Sequence, residues 1–221
     1  MRWSLLAISL PFLASVGALG QDGGVPLVLT RLDVRGFKVI ERESGGVNYY
    51  TVIEQAEGAI LHARYRPRLD SVILGMEMPE RLRSKVKRLR WRWRVGAFPL
   101  HGNDCQTGTG DSAASVFVTF KRGMKYYSLK YAWSSEGVKG TVCDQRRSMF
   151  YARDTILLES GGPTNVWIEE SIDPRAEFLR HFEPTGNPSD VPDFVGLGVM
   201  TDGDQTNSVG EADYGFFVVS S

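Results

Sequence analysis

Residues Val195–Asn207 read VGLGVMTDGDQTN and join an apolar run to an acidic turn. The apolar part has the character of a strand, and Asp202, Gly203 and Asp204 follow directly at its end. Asp and Gly favour turns, so this segment can simply be a corner of the fold. Two acidic residues at a strand end also suit a metal ligand, a nucleophile or a sugar contact. The rest of the chain has to distinguish these interpretations.

The order of strand and D-x-D-x-T over Asp202, Asp204 and Thr206 matches the nucleophile motif of haloacid-dehalogenase-type phosphatases. Those enzymes need a downstream lysine and a further acidic motif on a doubly wound α/β sheet. No lysine follows Lys139, and the alternation of strands and helices is absent. We therefore reject a phosphatase.

Short apolar segments separated by turn residues indicate an all-β fold instead. The chain has 24 glycines and 10 prolines beside many aromatic and β-branched residues. One helix is predicted, because Asp173 can cap it, Pro174 suits its first position, and Phe178 and Phe182 share a face. We predict a jelly-roll-like antiparallel β-sandwich with one short helix. Its strands are predicted at 48–53, 60–65, 71–78, 89–95, 115–120, 126–133, 148–158, 166–172, 195–200 and 214–219.

The first 20 residues have the pattern of a secretory signal peptide, with a basic start, an apolar run and small residues before Gln21. No later run is long and apolar enough to predict a stable membrane span. We expect residues 21–221 to form a single domain that is periplasmic or secreted. The oligomeric state stays open.

The 26 basic and 26 acidic residues balance, so the whole chain has no bias toward nucleic acid or acidic membranes. The one basic cluster ends in a strict alternation over 89–95, with tryptophans on one face and arginines on the other. The ordinary interpretation is a strand with a buried tryptophan face. The alternative is an arginine platform for an anionic ligand such as an acidic glycan.

Cys105 and Cys143 are the two cysteines, and an exported chain favours a disulfide between them. Segments 115–120 and 126–133 look like a hairpin that turns at Arg122-Gly123-Met124. Paired positions then sum to about 246, which places Cys105 opposite a position near 141. Two free buried thiols are the alternative.

The acidic turn has two further interpretations. Asp202, Asp204, Thr206 and Asp213 stand at positions 1, 3, 5 and 12 of an EF-hand-like spacing, but Asn207 replaces the glycine of position 6. The flanking strands also exclude an EF-hand, although another structural calcium loop stays open. No other cofactor is predicted. Alternatively, the two aspartates bond the turn backbone and neutralise the arginines of the 90–94 segment.

Four motifs occur in one order, and together they resemble the bacterial family catalogued as domain of unknown function 3047. The resemblance covers roughly Val47 to Val219 and implies an exported jelly-roll β-sandwich similar to galactose-binding-like and carbohydrate-binding modules. No activity is established for the family, so no catalytic residue follows from it. The basic stretch 81–90 and the cysteine pair depart from the family's pattern. The motifs are Leu89-x-Trp91-x-Trp93-Arg94-Val95, Asp111 before Val116-Phe117-Val118-x-Phe120, Leu129-x-Tyr131-x-Trp133, and Val199-Met200-Thr201-Asp202-x-Asp204-x-Thr206.

We predict a non-catalytic protein that binds a carbohydrate or cell-envelope glycan. The sequence lacks G-x-S-x-G, H-E-x-x-H, P-loop and C-x-x-C patterns. Two alternatives stay open: a hydrolase or lyase of envelope polysaccharide that uses carboxylates near Asp202, and a structural domain that binds another protein. The candidate ligand-binding residues are Arg92, Arg94, Trp167, Glu169, Asp202, Asp204 and Thr206.

Overall fold

The computed structural model describes residues 28–42 and 47–221, so the predicted signal peptide lies outside the described residues. The described residues contain thirteen strands and one α-helix, α1 (Pro174–Phe182). The strands are β1 (Leu29–Leu32), β2 (Lys38–Arg42), β3 (Tyr50–Ile53), β4 (Ile60–Tyr65), β5 (Val72–Glu77), β6 (Arg88–Ala97), β7 (Ala114–Arg122), β8 (Lys125–Ser134), β9 (Val142–Arg147), β10 (Tyr151–Ser160), β11 (Ile168–Ile172), β12 (Asp193–Met200) and β13 (Gly210–Ser220).

The strands form two sheets, which confirms the predicted β-sandwich. One sheet has six strands in the order β11-β6-β13-β4-β3, with β1 also paired to β13. The other has seven strands in the order β2-β5-β12-β7-β8-β10-β9. The jelly-roll sandwich therefore places β6 in one sheet and β12, the strand that precedes the acidic turn, in the other.

One strand pair departs from the expected antiparallel arrangement, since β10 runs parallel to β8. The cause is β9, which is not among the strands predicted from the sequence. This strand forms an antiparallel edge pair with β10, and β10 enters between β8 and β9. The segment VCDQRR has no apolar alternation because both of its faces carry polar groups. The short strands β1 and β2 were also not predicted.

The tryptophan face of β6 is the centre of the core, as the alternation predicted. Trp91 and Trp93 are fully buried. Their rings meet those of the opposite sheet, with centroids 5.8 Å apart for Trp91 and Tyr131 and 5.7 Å apart for Trp93 and Trp133. The arginines of β6 consequently face outward from the six-stranded sheet.

The predicted helix is confirmed and closes one end of the sandwich. The Asp173 carboxylate accepts hydrogen bonds from the backbone N–H groups of Arg175 and Ala176, at 2.9 and 3.1 Å. On the inner side of the helix, Phe178 lies 5.1 Å from the Phe120 ring, measured between centroids. The described residues include no helix with the length and apolar character needed to cross a membrane.

The predicted disulfide is also confirmed, with the Cα atoms of Cys105 and Cys143 5.5 Å apart. The hairpin register is close to the expected one, because Ala114 pairs with Trp133. The geometry of the bridge is nevertheless different from the prediction. Cys143 lies on the edge strand β9, so the loop between β6 and β7 reaches it across the outer face of the seven-stranded sheet.

Glu170 lies on the edge strand β11, and its burial predicts that the stability of the protein depends on pH. Burial raises the pKa of this carboxyl to about 7, and the nearby Glu159 carboxylate adds to the increase. The unfolded chain has the ordinary pKa of 4.5. The folded state therefore binds the proton more tightly, and stability should fall as the pH rises from 4.5 to about 7.

Glu170→Gln should remove most of this pH dependence and stabilise the protein at pH 8 by about 1–2 kcal/mol, a figure already reduced for partial exposure. Urea unfolding at pH 5 and pH 8 measures the effect. Glu169→Gln, which removes an exposed carboxylate from the same strand, is the matched control. Equal pH dependence in the wild type and Glu170→Gln would contradict the assignment.

Candidate functional site

A polar groove of about 520 Å³ lies on the outer face of the seven-stranded sheet. Strand residues contribute Lys130 from β8, Thr155 from β10 and Met200 from β12. The β6–β7 loop contributes residues 104–108 and 110. The groove is therefore built from a sheet face and from the loop that the disulfide holds against β9.

A buried ion pair lies in the groove. The Lys130 Nζ atom donates to Asp104 Oδ1 at 2.6 Å, and both side chains are only 6% exposed. Burial alone would lower the pKa of Lys130, but the carboxylates of Asp104 and Asp202 outweigh it and raise that pKa above its usual range. Lys130 is consequently charged at neutral pH, and its ammonium depends on these carboxylates.

A second charged cluster lies on β9 and β10. Asp144 accepts hydrogen bonds from Arg153 and from Arg146, the latter at 2.8 Å. The two guanidinium groups hold the pKa of the Asp144 carboxyl below its usual range despite partial burial. Asp144, Arg146 and Arg153 all line the groove.

Two buried polar atoms of the groove residues have no hydrogen-bond partner within the described part of the chain. They are Asp104 Oδ2, an acceptor, and Arg153 Nε, a donor. A buried polar group without a partner costs roughly 1–3 kcal/mol. Hydroxyl groups suit both atoms chemically, because a hydroxyl both donates and accepts.

The acidic corner after β12 lies at the margin of this groove. Asp202 lines it and accepts a hydrogen bond from the Ser112 backbone N–H at 2.9 Å. Burial raises the pKa of Asp202 well above its usual range, and Lys130 only partly offsets this. Asp111, from the β6–β7 loop, accepts from the Thr206 backbone N–H at 2.7 Å. Asp204 is exposed and accepts from Ser71 Oγ at 3.0 Å.

Carboxylate oxygens of Asp111, Asp202 and Asp204 lie within 4.8 Å of one another. Oxygen ligands at this density suit calcium. Each carboxylate also accepts a hydrogen bond from the chain, however, and these bonds alone explain the corner. A structural calcium ion stays a prediction.

The expected pairing between this corner and the arginines of β6 is wrong. Arg90 pairs with Glu169 at 2.9 Å, Arg92 with Glu57 at 3.0 Å and Arg94 with Asp213 at 2.7 Å. The reason is the sandwich itself. The outer faces of β6 and β12 belong to different sheets and point in opposite directions.

The four predicted ligand-binding residues of the six-stranded sheet do come together on its outer face. The guanidinium carbons of Arg92 and Arg94 lie 4.6 and 4.8 Å from the Trp167 ring centroid. Glu169 lies beside them through its pair with Arg90. The indole of Trp167, a predicted ligand-binding residue, thus already contacts two guanidinium groups. A ligand-binding role for these residues stays a prediction.

The groove residues Lys130, Asp104, Arg153 and Asp144 were not recognised from the sequence. The alternation in β8 did place Lys130 on the non-core face. A lysine on that face usually reaches solvent. It is buried here because the β6–β7 loop covers it. The predicted disulfide was the one sequence feature that indicated the position of that loop.

The fold is a jelly-roll β-sandwich with a polar groove on the outer face of its seven-stranded sheet. Residues 38–218 match the family model described as "Protein of unknown function (DUF3047)". The chain therefore belongs to this family, which confirms the predicted resemblance. A comparison with curated proteins finds no match.

Solved structures share the architecture. An engineered cellulase derived from Cel12A of Rhodothermus marinus has a TM-score of 0.50 and 8% identity, covering 89% of this chain and 100% of its own. The family 11 carbohydrate-binding module of Clostridium thermocellum has a TM-score of 0.46 and 10% identity, covering 86% and 94%. At these identities the similarity concerns the fold alone.

Proposed function

We propose that the protein binds a carbohydrate in the groove of the seven-stranded sheet and does not cleave it. The observation that carries this proposal is the pair of buried atoms without partners, Asp104 Oδ2 and Arg153 Nε, in residues that line one groove. Sugar hydroxyls both donate and accept, so this ligand class matches the chemistry of a donor on Arg153 and an acceptor on Asp104. Methyl and methylene groups of Ile73 and Met200 supply apolar contact beside them.

The dimensions and chemistry of the groove also suit this ligand class. Its volume of about 520 Å³ falls in the range of small-molecule sites. Charged side chains hold one another in fixed positions, as in the pair of Lys130 with Asp104. A preorganised polar lining lowers the entropy that binding costs.

Arg153→Gln should weaken glycan binding about tenfold or more, because a hydrogen bond from a charged donor is lost. Isothermal titration with cell-envelope oligosaccharides, selected on a glycan array, measures the change. Trp167→Ala is the control on the other sheet and should leave the affinity unchanged. Thermal unfolding of both variants shows that the fold is intact.

Two outcomes would contradict this location or this function. Loss of binding in Trp167→Ala but not in Arg153→Gln would place the ligand at the predicted site with Arg92, Arg94 and Glu169. Absence of binding by the wild type to any oligosaccharide at millimolar concentration would remove the carbohydrate proposal.

A hydrolase or lyase is the second candidate, and Asp202 is the observation that favours it. Burial keeps its carboxyl protonated to a higher pH than usual, as a general acid requires. If the same oligosaccharides are cleaved, Asp202→Asn should abolish turnover while retaining binding. No cleavage of any member of the panel would exclude this candidate.

We also propose that the protein is exported. The disulfide between Cys105 and Cys143 supports export, because such bonds persist in oxidising compartments. The predicted signal peptide points the same way. Mass spectrometry of the mature N-terminus in periplasmic and secreted fractions tests both.

A further inference from the structure

Two neighbouring turns expose large apolar side chains. Met124 in the β7–β8 turn is 76% exposed, and Met149 and Phe150 in the β9–β10 turn are 78% and 54% exposed. The turns are neighbours because β8 and β10 run in parallel from Tyr126 beside Tyr151. The Tyr126 backbone N–H donates to the Phe150 carbonyl oxygen at 2.9 Å. Tyr126 and Tyr151 are exposed as well, and we refer to the side chains of Met124, Tyr126, Met149, Phe150 and Tyr151 as the tip patch.

The two turns also share a basic character. Residues 121–128 read KRGMKYYS and residues 145–153 read QRRSMFYAR, with six basic residues and no acidic one. The four arginines among them are paired, to Glu183, to Asp144 and to Asp154. Lys121 and Lys125 form no ion pair within the part of the chain that the structure describes. Positive charge is therefore left beside the tip patch although the whole chain is neutral.

The two lysines, Lys121 on β7 and Lys125 on β8, lie against aromatic rings of β8. The Lys121 ammonium is 4.9 Å from the Tyr126 ring centroid, and the Lys125 ammonium is 5.1 Å from that of Tyr127. Aromatic rings with flanking lysines are typical of the boundary between lipid tails and headgroups. There an exposed ring meets the acyl chains while the ammonium stays among the phosphates. Tyr126, which is 41% exposed, has this position, whereas Tyr127 is buried against Phe178 and Phe182.

Two hydrogen bonds of the backbone close the second turn. The Ser148 N–H donates to the Tyr151 carbonyl oxygen at 2.8 Å, and the Tyr151 N–H donates to Ser148 Oγ at 3.0 Å. Turn tips are also convex, which suits a membrane surface better than an extended sugar chain.

From these observations we propose that the tip patch docks on a membrane surface that carries anionic lipid headgroups. Met149 and Phe150 enter the interface, and Lys121 and Lys125 contact lipid phosphates. The charge acts locally, because attraction beyond about 8 Å is largely screened at physiological salt. The proposal does not depend on the glycan site, since it concerns different residues and a different ligand.

Co-flotation of the full chain with lipid vesicles tests the proposal. The wild type should bind vesicles in which about a third of the phosphatidylcholine is replaced by phosphatidylglycerol, and it should bind pure phosphatidylcholine far more weakly. The double variant Lys121→Gln/Lys125→Gln should lower partitioning roughly 25-fold, at about fivefold for each lysine. Lys85→Gln/Lys87→Gln, two exposed lysines elsewhere, is the matched control and should change little.

A second double variant tests the contribution of the apolar side chains of the tip patch. Met149→Ser/Phe150→Ser should also release the protein from anionic vesicles, whereas Leu100→Ser/Val138→Ser, at two exposed apolar positions outside the patch, should not. All four positions are exposed, so the variants should fold, and circular dichroism verifies this. In Phe150→Trp the indole emission should shift to the blue on adding anionic vesicles.

Three results would overturn the proposal. The first is a wild type that stays with the unbound fraction at low salt. The second is equal flotation of the tip-patch variants and their controls. The third is a lipid-free dimer, detected by sedimentation, that Met149→Ser/Phe150→Ser dissociates, because the patch would then be covered by a second copy of the chain.

Discussion

Lys130→Met is expected to lower the free energy of unfolding by about 3–5 kcal/mol. The substitution leaves the Asp104 carboxylate buried, with one oxygen already lacking a partner and the other losing its ammonium. It also removes the positive charge that partly stabilises ionised Asp202. Urea unfolding at pH 7 measures the loss.

Two variants distinguish this cause from a simple loss of packing. Lys121→Met removes an exposed lysine from the adjacent strand and should cost less than about 1 kcal/mol. The double variant Lys130→Met/Asp104→Leu should recover much of the stability, because it removes both charges together. If Lys130→Met were no more harmful than Lys121→Met, the ion pair would not be desolvated as the structure indicates.

Cys105→Ser/Cys143→Ser is expected to cost about 4 kcal/mol. The bridge joins positions 38 residues apart, and closing a loop of this length restricts the unfolded chain by that amount in the chain-entropy model. Urea unfolding with and without reductant measures it. Reductant should destabilise the wild type by a similar amount and leave the double variant unchanged.

The same substitution should weaken glycan binding, because both cysteines line the groove.

The bridge also holds the loop residue next to Asp104, so its removal and Lys130→Met act on one structure. The losses of unfolding free energy should therefore be non-additive. The variant that combines both changes should lose less than the sum of the two separate losses. Full additivity, or an unchanged unfolding midpoint after reduction, would contradict a shared role in holding the loop.

Much of the fold could be predicted, because local patterns encode it. The alternation of tryptophan and arginine in 89–95 defined a strand and its buried face, and Asp173-Pro174 defined the start of the helix. Such patterns depend on side-chain directions within a few residues. β9 was missed for the same reason, since VCDQRR shows no alternation and forms a strand only through its pairing with β10.

The candidate site was less predictable. The cysteine pair was inferred correctly from hairpin register, yet the bridge arises from a loop that crosses the sheet to the edge strand. Charge matching failed outright at the acidic corner, because opposite charges pair only when their faces meet. Asp202 and the arginines of β6 lie on different sheets, and sequence distance carries no information about that.

By itself, then, the sequence determined most of the strands, the buried face of β6 and the family to which the chain belongs. The tertiary structure decided that β10 runs parallel to β8 and that the β6–β7 loop covers Lys130. It also decided which charged groups form the groove and which turns lie side by side. The physical reason is the sequence separation over which each effect acts, because periodicity and capping involve residues only a few positions apart. The groove instead depends on contacts such as that between Ser112 and Asp202, 90 residues apart in the chain.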